Sequence, residues 1–411
     1  MKLTSSQQKA LSRALEGKNL FITGVGGTGK SFLLRVIVEK LGHKNVAVTA
    51  LTGLAAKNVG GITLHSFAGM GHDLSKKVNS FAKSRWKRTQ VLIVDEVSML
   101  TSTFLEKLYP WVVENDIQLI FFGDLLQLPP VNGKLCIESP KWSLLGLDEG
   151  TIELLEVVRQ KDQEFIRVLN QVRTGQLTKE TIAFLKKLEI TQKKIDPHNI
   201  TKLYALNRDV DKENLKRLNK LSGPLVILKA EDRCSERRPS ATLTQMINKE
   251  APQEIKIKVG ALVMVTRNIP PRLVNGMIGT VESCDPLTVA FHNATPPKAV
   301  TSRVVTPPKA VAFHGAPIEI PCIEYKAKFK RDQIIRKQYP IKLAWNLTVH
   351  RGQGMTLKNV YAAVKGSFEN GQIYTVLSRA ETPEGLCIDD VDYIIKNNKV
   401  SDVALEYYGS K

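Results

Sequence analysis

Two groups of residues carry chemistry that their neighbours do not. The first is Gly24-Val25-Gly26-Gly27-Thr28-Gly29-Lys30-Ser31, a glycine-rich turn that ends in a lysine and a hydroxyl. Glycines at 24, 26, 27 and 29, with Thr28 among them, let consecutive backbone N–H groups converge on phosphate oxygens. A helix opening at Lys30 adds the partial positive charge of its N-terminus. Lys30 supplies a point charge to the β- and γ-phosphates, and the Ser31 hydroxyl suits Mg²⁺. The second group is Asp95-Glu96. Asp95 suits a metal-bound water, and Glu96 suits the orientation and deprotonation of an attacking water. Together they imply binding and hydrolysis of a nucleoside triphosphate with Mg²⁺. A glycine-rich turn that binds nothing is the plainer alternative, and Lys-Ser at this spacing after an apolar strand speaks against it.

The elements that must hold these groups can be read from hydropathy. Leu20–Ile22, Val46–Ala50, Val91–Val94 and Leu119–Phe122 are apolar runs separated by helical patterns such as Leu33, Leu34, Ile37 and Val38. Strands alternating with helices predict an α/β fold with a parallel sheet and the ligand at the strands' C-terminal ends. Gln127, just beyond the last of these strands, can reach a γ-phosphate from there. Thr49, Thr52 and Gly53, small residues at or just after a strand end, permit close approach of a sugar–phosphate chain. His65 and Phe67 offer faces for base stacking, although ordinary packing is the commoner role for either residue taken alone. Residues 162–189 predict two amphipathic helices broken at Thr174-Gly175, and Asn275-Gly276 predicts a hairpin turn.

A chain of 411 residues has room for two to three domains, and its 43% hydrophobic content makes it globular. No run approaches the ~20 apolar residues of a membrane span, and the N-terminus carries neither an export nor an organelle signal. Five scattered cysteines without a C-x-x-C pair argue against a disulfide framework or zinc site. Lys and Arg number 59 against 40 Asp and Glu, a net charge of +19. A surplus of this size calls for a polyanionic partner, most simply nucleic acid, unless the protein is merely basic.

The stretches Gly24–Ser31, Thr49–Ala56, Gly60–Gly71, Val94–Leu100 and Gly123–Val131 resemble successive motifs of superfamily-one DNA helicases, and within them the Pif-type branch. Further on, Leu154–Gln160, Ile341–Leu357 and Gly371–Ala380 match the later motifs of the same family. The resemblance implies two RecA-like P-loop NTPase domains in tandem, with small inserted subdomains. Residues 1–157 form the first domain, with a DNA-facing insertion about 65–88. Residues 158–255 and 341–411 form the second, interrupted by a barrel of the SH3 type at 256–340. It also implies residue roles: Gln7 recognises the adenine edge, Arg159 and Arg379 reach the γ-phosphate, and Gln353 and Gly354 lie near the nucleotide. Asn207, Thr348 and His350 are expected at the DNA. The partners implied are single-stranded and tailed or forked duplex DNA, with 5′-to-3′ movement and no membrane. A monomer in solution is expected, located wherever genomic DNA is. Quadruplexes and RNA–DNA hybrids are further implied substrates. A RecD-like subunit, an ATP-regulated DNA-binding protein and a translocase that does not unwind remain as alternatives. Thr-Pro-Pro-Lys-Ala-Val, which occurs at 295–300 and again at 306–311, is expected to be a surface excursion.

Overall fold

The computed structural model describes residues 3–70, 78–158, 160, 162–189, 200–234, 239–267, 269, 273, 275–291, 317–329 and 332–410. Arg159 and the duplicated proline-rich stretch therefore lie outside the described residues. The chain divides into two compact units: Met1–Asn207 with Leu347–Lys411, and Arg208–Pro296 with Pro308–Asn346.

In the first unit, strands β1 (Leu20–Thr23), β2 (Val46–Ala50), β3 (Ile62–Thr63), β4 (Val91–Asp95), β5 (Gln118–Phe122) and β6 (Thr151–Glu153) form a six-stranded sheet in the order β3-β2-β4-β5-β1-β6. Every neighbouring pair is parallel. Helix α1 (Ser5–Leu15) precedes β1, and α2 (Lys30–Lys40), α3 (Gly53–Asn58), α4 (Leu64–Ala68), α5 (Ser80–Arg88), α6 (Ser102–Glu114) and α7 (Pro140–Leu144) fall between the strands. The strands read as unbroken apolar runs because both faces are covered. Phe21, Leu92, Val94, Leu119 and Phe121 pack with Phe104, Leu105 and Leu108 of α6 and Trp142 of α7. Their neighbours Leu20, Ile22, Ile93, Ile120 and Phe122 pack with Ala10 and Ala14 of α1 and Leu33, Leu34 and Ile37 of α2. The period of two along each strand thus sorts the side chains onto two cores. Strands β3 and β6 are too short to stand out in hydropathy.

Helices α8 (Gln163–Thr174) and α9 (Lys179–Lys187) follow, with Gly175 closing α8 at φ +75° in the left-handed region. Strand β7 (Thr201–Tyr204) opens a smaller four-stranded sheet. It pairs in parallel with Val360–Ala363, which in turn pairs with Leu386–Ile388; the fourth strand, ending at Thr348, lies beside β7. The last helix, Asp402–Gly409, returns to the larger sheet. Ala404 is buried in the core that contains Phe21 and Trp142, and Tyr407 and Tyr408 pack against it.

The second unit carries a five-stranded antiparallel sheet in the order Ile318–Glu319, Leu287–Phe291, Ile278–Cys284, Leu262–Val265, Ile341–Leu343. The Asn275-Gly276 turn leads into Ile278–Cys284, which pairs with Leu262–Val265, and Gly276 takes φ +92°. A three-stranded sheet of Ile323–Phe329, Asp332–Gln338 and Glu231–Cys234 is backed by the helix Ala241–Glu250. Asn214 is buried and bonds Asn346 through both amide ends, fixing the strand that leads back to the first unit.

Candidate nucleotide and DNA site

The C-terminal ends of β1, β4 and β5 lie on adjacent or near-adjacent strands, and each delivers one part of a pocket. Beyond β1 the turn needs glycine at 24: φ is +143°, and a Cβ there would stand 2.5 Å from the Leu154 carbonyl oxygen. Lys30, the first residue of α2, donates from Nζ to the carbonyls of Gly24 (2.5 Å) and Val25 (3.0 Å). Burial pushes its ammonium down to about 8, although Asp124, Glu96 and Asp95 all pull upward. A half-buried cation held by neutral carbonyls gains when anionic oxygens replace them. The Gly26 N–H, one of the amides that would face phosphate, donates to the Tyr374 hydroxyl at 2.8 Å. Thr28 is fully buried, and its hydroxyl donates to the Val25 carbonyl. Gly27 and Gly29 both take positive φ, as the turn requires, and Ser31 is exposed in the first turn of α2.

Gln7 sits under this turn. Its Nε2 donates to the Thr28 carbonyl at 3.1 Å, while its Oε1 accepts from the Thr4 N–H at the start of α1. Both ends of the amide are therefore engaged with backbone in this conformation, which leaves one N–H and one oxygen lone pair to meet a base edge.

Strand β4 ends at Asp95, and the next residue, Glu96, takes φ +57°. A left-handed glutamate is uncommon and persists where the surroundings impose it. Asp95 Oδ1 accepts from the Glu96 N–H at 2.9 Å. Burial, helped by the Glu96 charge, pushes the Asp95 carboxyl up to about 7. Two carboxylates so placed are relieved by a cation. Among the described residues no three or more His, Cys, Asp or Glu side chains are grouped to hold a metal. Ser31 and Asp95 are the residues that would hold Mg²⁺, together with phosphate oxygens.

Residues far along the chain complete the pocket from the second half. Gln353 Nε2 donates to Glu96 Oε2 at 3.0 Å and to Ser98 Oγ at 3.2 Å. Gly354, at φ +78°, comes so close that a Cβ would stand 3.0 Å from Glu96 Oε1. Arg379 is buried and donates to the Thr375 carbonyl (2.9 Å) and Ser378 Oγ (2.8 Å), and its Nη2 lies 3.5 Å from Gln127 Oε1. Burial lowers its pKa despite the nearby Glu96. Lys30, Asp95, Glu96, Gln127, Gln353, Gly354 and Arg379 are thus gathered at one place. Arg159 lies outside the described residues; its neighbour Gln160 is buried and donates to the Ala380 carbonyl at 3.0 Å.

The residues expected at DNA divide. Thr49 and Phe67 need correction. Thr49 is fully buried within β2 and donates its hydroxyl to the Ile93 carbonyl at 2.8 Å. Phe67 is buried in the core, its ring 4.8 Å from Trp86 edge-on. Neither can meet a nucleic acid in this conformation. Thr52 caps α3 by accepting from the Ala55 N–H, with Gly53 partly exposed beside it. His65 is partly exposed, 4.5 Å from Phe104 ring to ring. Asn207 is exposed, Thr348 is buried, and His350 Nε2 lies 3.0 Å from Glu369 Oε2. On α5, Lys83, Lys87 and Arg88 are exposed, and Phe81 shows 75% of its surface with the Arg85 guanidinium 5.5 Å from its ring.

Four further residues meet at the pocket floor that the sequence reading did not single out: Asp124, Arg173, Tyr374 and Tyr408. Only Arg173 left a signal. It stands at i+4 from Leu169 and i+8 from Phe165, a cation on the apolar face of α8.

A profile of the PIF1-like helicase family matches residues 2–182. The ATP-dependent DNA helicase PIF1 of Danio rerio is 36% identical over 95% of this chain and 61% of its own length. The crystal structure of Pif1 helicase from Candida albicans superposes with a TM-score of 0.85 at 34% identity, covering 100% of this chain and 99% of that one. This chain belongs to the PIF1-like helicase family. Pif1 helicase from Bacteroides, crystallised with ADP-AlF3 and ssDNA, superposes with a TM-score of 0.80 at 27% identity, covering 100% of this chain and 97% of that one. The chain spans 54% to 62% of the length of the first curated relatives it matches. No helix among the described residues is long and apolar enough to cross a membrane.

Proposed function

We propose that the chain is an ATP-dependent DNA helicase that moves 5′-to-3′ on single-stranded DNA and opens tailed or forked duplexes. Quadruplexes and RNA–DNA hybrids are further substrates of the same activity. The observation that carries this reading is the convergence of Lys30, Glu96 and Gln127 from one half with Gln353 and Arg379 from the other on one pocket. Lys30 and Arg379 place two cations where charge grows on the γ-phosphate, and Glu96 takes the proton of the attacking water. Mg²⁺, when bound, neutralises the β- and γ-phosphate oxygens. Gln353 holds the Glu96 carboxylate, so that removal of a triphosphate is felt directly in the second half. Differential affinity of ATP for two arrangements of the halves is what turns hydrolysis into steps along a strand.

The six-stranded parallel sheet and the four-stranded sheet are read as tandem RecA-like domains, the antiparallel five-stranded sheet as an SH3-like barrel, and the working species as a monomer. The exposed cations and Phe81 of α5 belong to the DNA-facing insertion. Relatives carry the name of ATP-dependent DNA helicase and one was crystallised with ssDNA, which supports the substrate class. Unwinding of duplexes with a 5′ or a 3′ single-stranded tail, with and without ATP, tests the whole reading. Strand separation that needs ATP and a 5′ tail is expected. ATP turnover without strand separation would leave a translocase, and a requirement for a 3′ tail would reverse the direction.

A further inference from the structure

We propose that Arg173 and Tyr408 are positioning residues for ATP hydrolysis, holding the two loops that flank the triphosphate at a fixed separation. The inference rests on the ATPase reading above. Tyr408, on the last helix of the chain, places its hydroxyl between those loops. It accepts a hydrogen bond from the Leu125 N–H at 3.1 Å and shares one with Thr23 Oγ1 at 2.6 Å. Thr23 is the last residue of β1, immediately before Gly24. Leu125 begins the turn beyond β5 that carries Gln127. One hydroxyl therefore ties the root of the phosphate turn to the root of the Gln127 turn.

Arg173 reinforces the second of these. Its guanidinium grips Asp124 through two nitrogens at 2.9–3.2 Å and lies 5.1 Å over the ring of Tyr408. Asp124 is fully buried and passes the constraint on. Its Oδ1 accepts from the Leu126 N–H at 3.2 Å, and its Oδ2 lies 3.5 Å from Gln127 Nε2. Gln127 then meets Arg379. The line from Arg173 through Asp124 and Gln127 joins α8 to Arg379. Tyr407, the adjacent residue on the same helix, supplies a built-in comparison. Its hydroxyl bonds Thr151 Oγ1 (2.7 Å) and accepts from Trp142 Nε1 (3.2 Å), neither of which lies on a loop of the site.

The test measures steady-state ATP hydrolysis with and without single-stranded DNA, together with thermal unfolding, for the full chain and for Tyr408→Phe, Tyr407→Phe, Arg173→Lys and Arg173→Met. Tyr408→Phe keeps the ring under Arg173 and removes only the bridge. It is expected to lower kcat about tenfold, with KM for ATP within about twofold, because misplacement of reacting groups by a fraction of an ångström costs turnover before it costs binding. Tyr407→Phe loses the two hydrogen bonds named above and is expected to keep kcat. Arg173→Lys, which keeps the charge but not the fork, is expected to fall between the full chain and Arg173→Met. If Arg173→Met does not fold, Tyr408→Phe and Arg173→Lys decide. Unchanged kcat in both, equal effects of Tyr408→Phe and Tyr407→Phe, or a loss carried by KM would overturn the positioning role. Absence of hydrolysis by the unaltered chain would instead overturn the ATPase reading on which it stands.

Discussion

Two buried arginines stand within one pocket, and their different company predicts opposite behaviour on removal. Arg173 is paired with Asp124, whereas Arg379 is ringed by the Thr375 carbonyl, Ser378 Oγ and Gln127 Oε1 and forms no ion pair with a carboxylate of the described residues. A cation desolvated among neutral acceptors contributes little to folding, because about 1 kcal/mol per hydrogen bond is offset by the cost of burial. Arg379→Ala should therefore leave the thermal midpoint nearly unchanged. On the proposed reading its effect belongs to the reaction. A unit charge about 4 Å from a developing phosphate charge, at an effective dielectric of about 20, is worth about 4 kcal/mol, which corresponds to about a thousandfold in turnover. ATP affinity should fall less than about tenfold, since charge on the transferring group is largest in the transition state. Single-turnover hydrolysis and equilibrium binding of a fluorescent ATP analogue separate the two quantities. Equal losses in binding and turnover, or a collapse of the fold, would refute the assignment of Arg379 to the transition state.

Other expectations follow from the same geometry. Lys30→Ala should abolish ATP turnover while single-strand binding at low salt persists; turnover that survives would remove the phosphate turn from the site. Arg173→Ala, unlike Arg379→Ala, strands a buried carboxylate and should cost about 3–5 kcal/mol of stability, measurable by urea unfolding. Asp124 sets an acid limit. Burial alone would raise its carboxyl, but the Arg173 charge and hydrogen bonds outweigh burial and hold it below the usual range. Its folded pKa thus lies below the unfolded value of about 3.9. The stabilisation is fully present above that value and is lost as pH falls through the folded one. Asp124→Asn should flatten this part of the acid unfolding profile, and an unaltered profile would show that the pair does not govern it.

The parts of the site legible in sequence were those whose chemistry is local. The phosphate turn needs glycines within a few residues of Lys30, and Asp95-Glu96 must end an apolar strand, so spacing alone exposes both. Thr49 and Phe67 misled for a physical reason: a hydroxyl and an aromatic ring serve a core as readily as a ligand. Phe67 lies at i+3 from Leu64 with Ala68 beside it, and all three are buried on one side of α4. Thr49 lies in a strand buried on both faces, where its hydroxyl had to find a backbone carbonyl. The floor of the pocket was illegible because its bonds join residues remote in the chain, Thr23 with Tyr408 and Asp124 with Arg173. No periodicity reports such a pairing, although a charged residue on the apolar face of α8 marks one end of it. Strand β6 was hidden by its length, three residues with only Ile152 buried.

In this conformation almost every group suited to a triphosphate already has a partner within the protein. Lys30 donates to the carbonyls of its own turn, the Gly26 amide to Tyr374, Gln353 to Glu96, and Arg379 to Ser378 and Gln127. Three of these contacts join the two halves: Gly26 with Tyr374, Glu96 with Gln353, and Gln127 with Arg379. A triphosphate entering the pocket must therefore replace internal hydrogen bonds rather than add to them. The net gain is the difference between charged and neutral partners, which is largest for Lys30 and Arg379 and smallest for Gln353. Tyr374 and Arg379 sit within five residues of each other on one short helix and the turn that ends it. Freeing the Gly26 amide from Tyr374 and drawing Arg379 toward phosphate then act on the same segment. An exchange of this kind would make occupancy of the pocket and the setting of the segment that carries Tyr374 and Arg379 a single event, which is the coupling that the proposed motor reading requires.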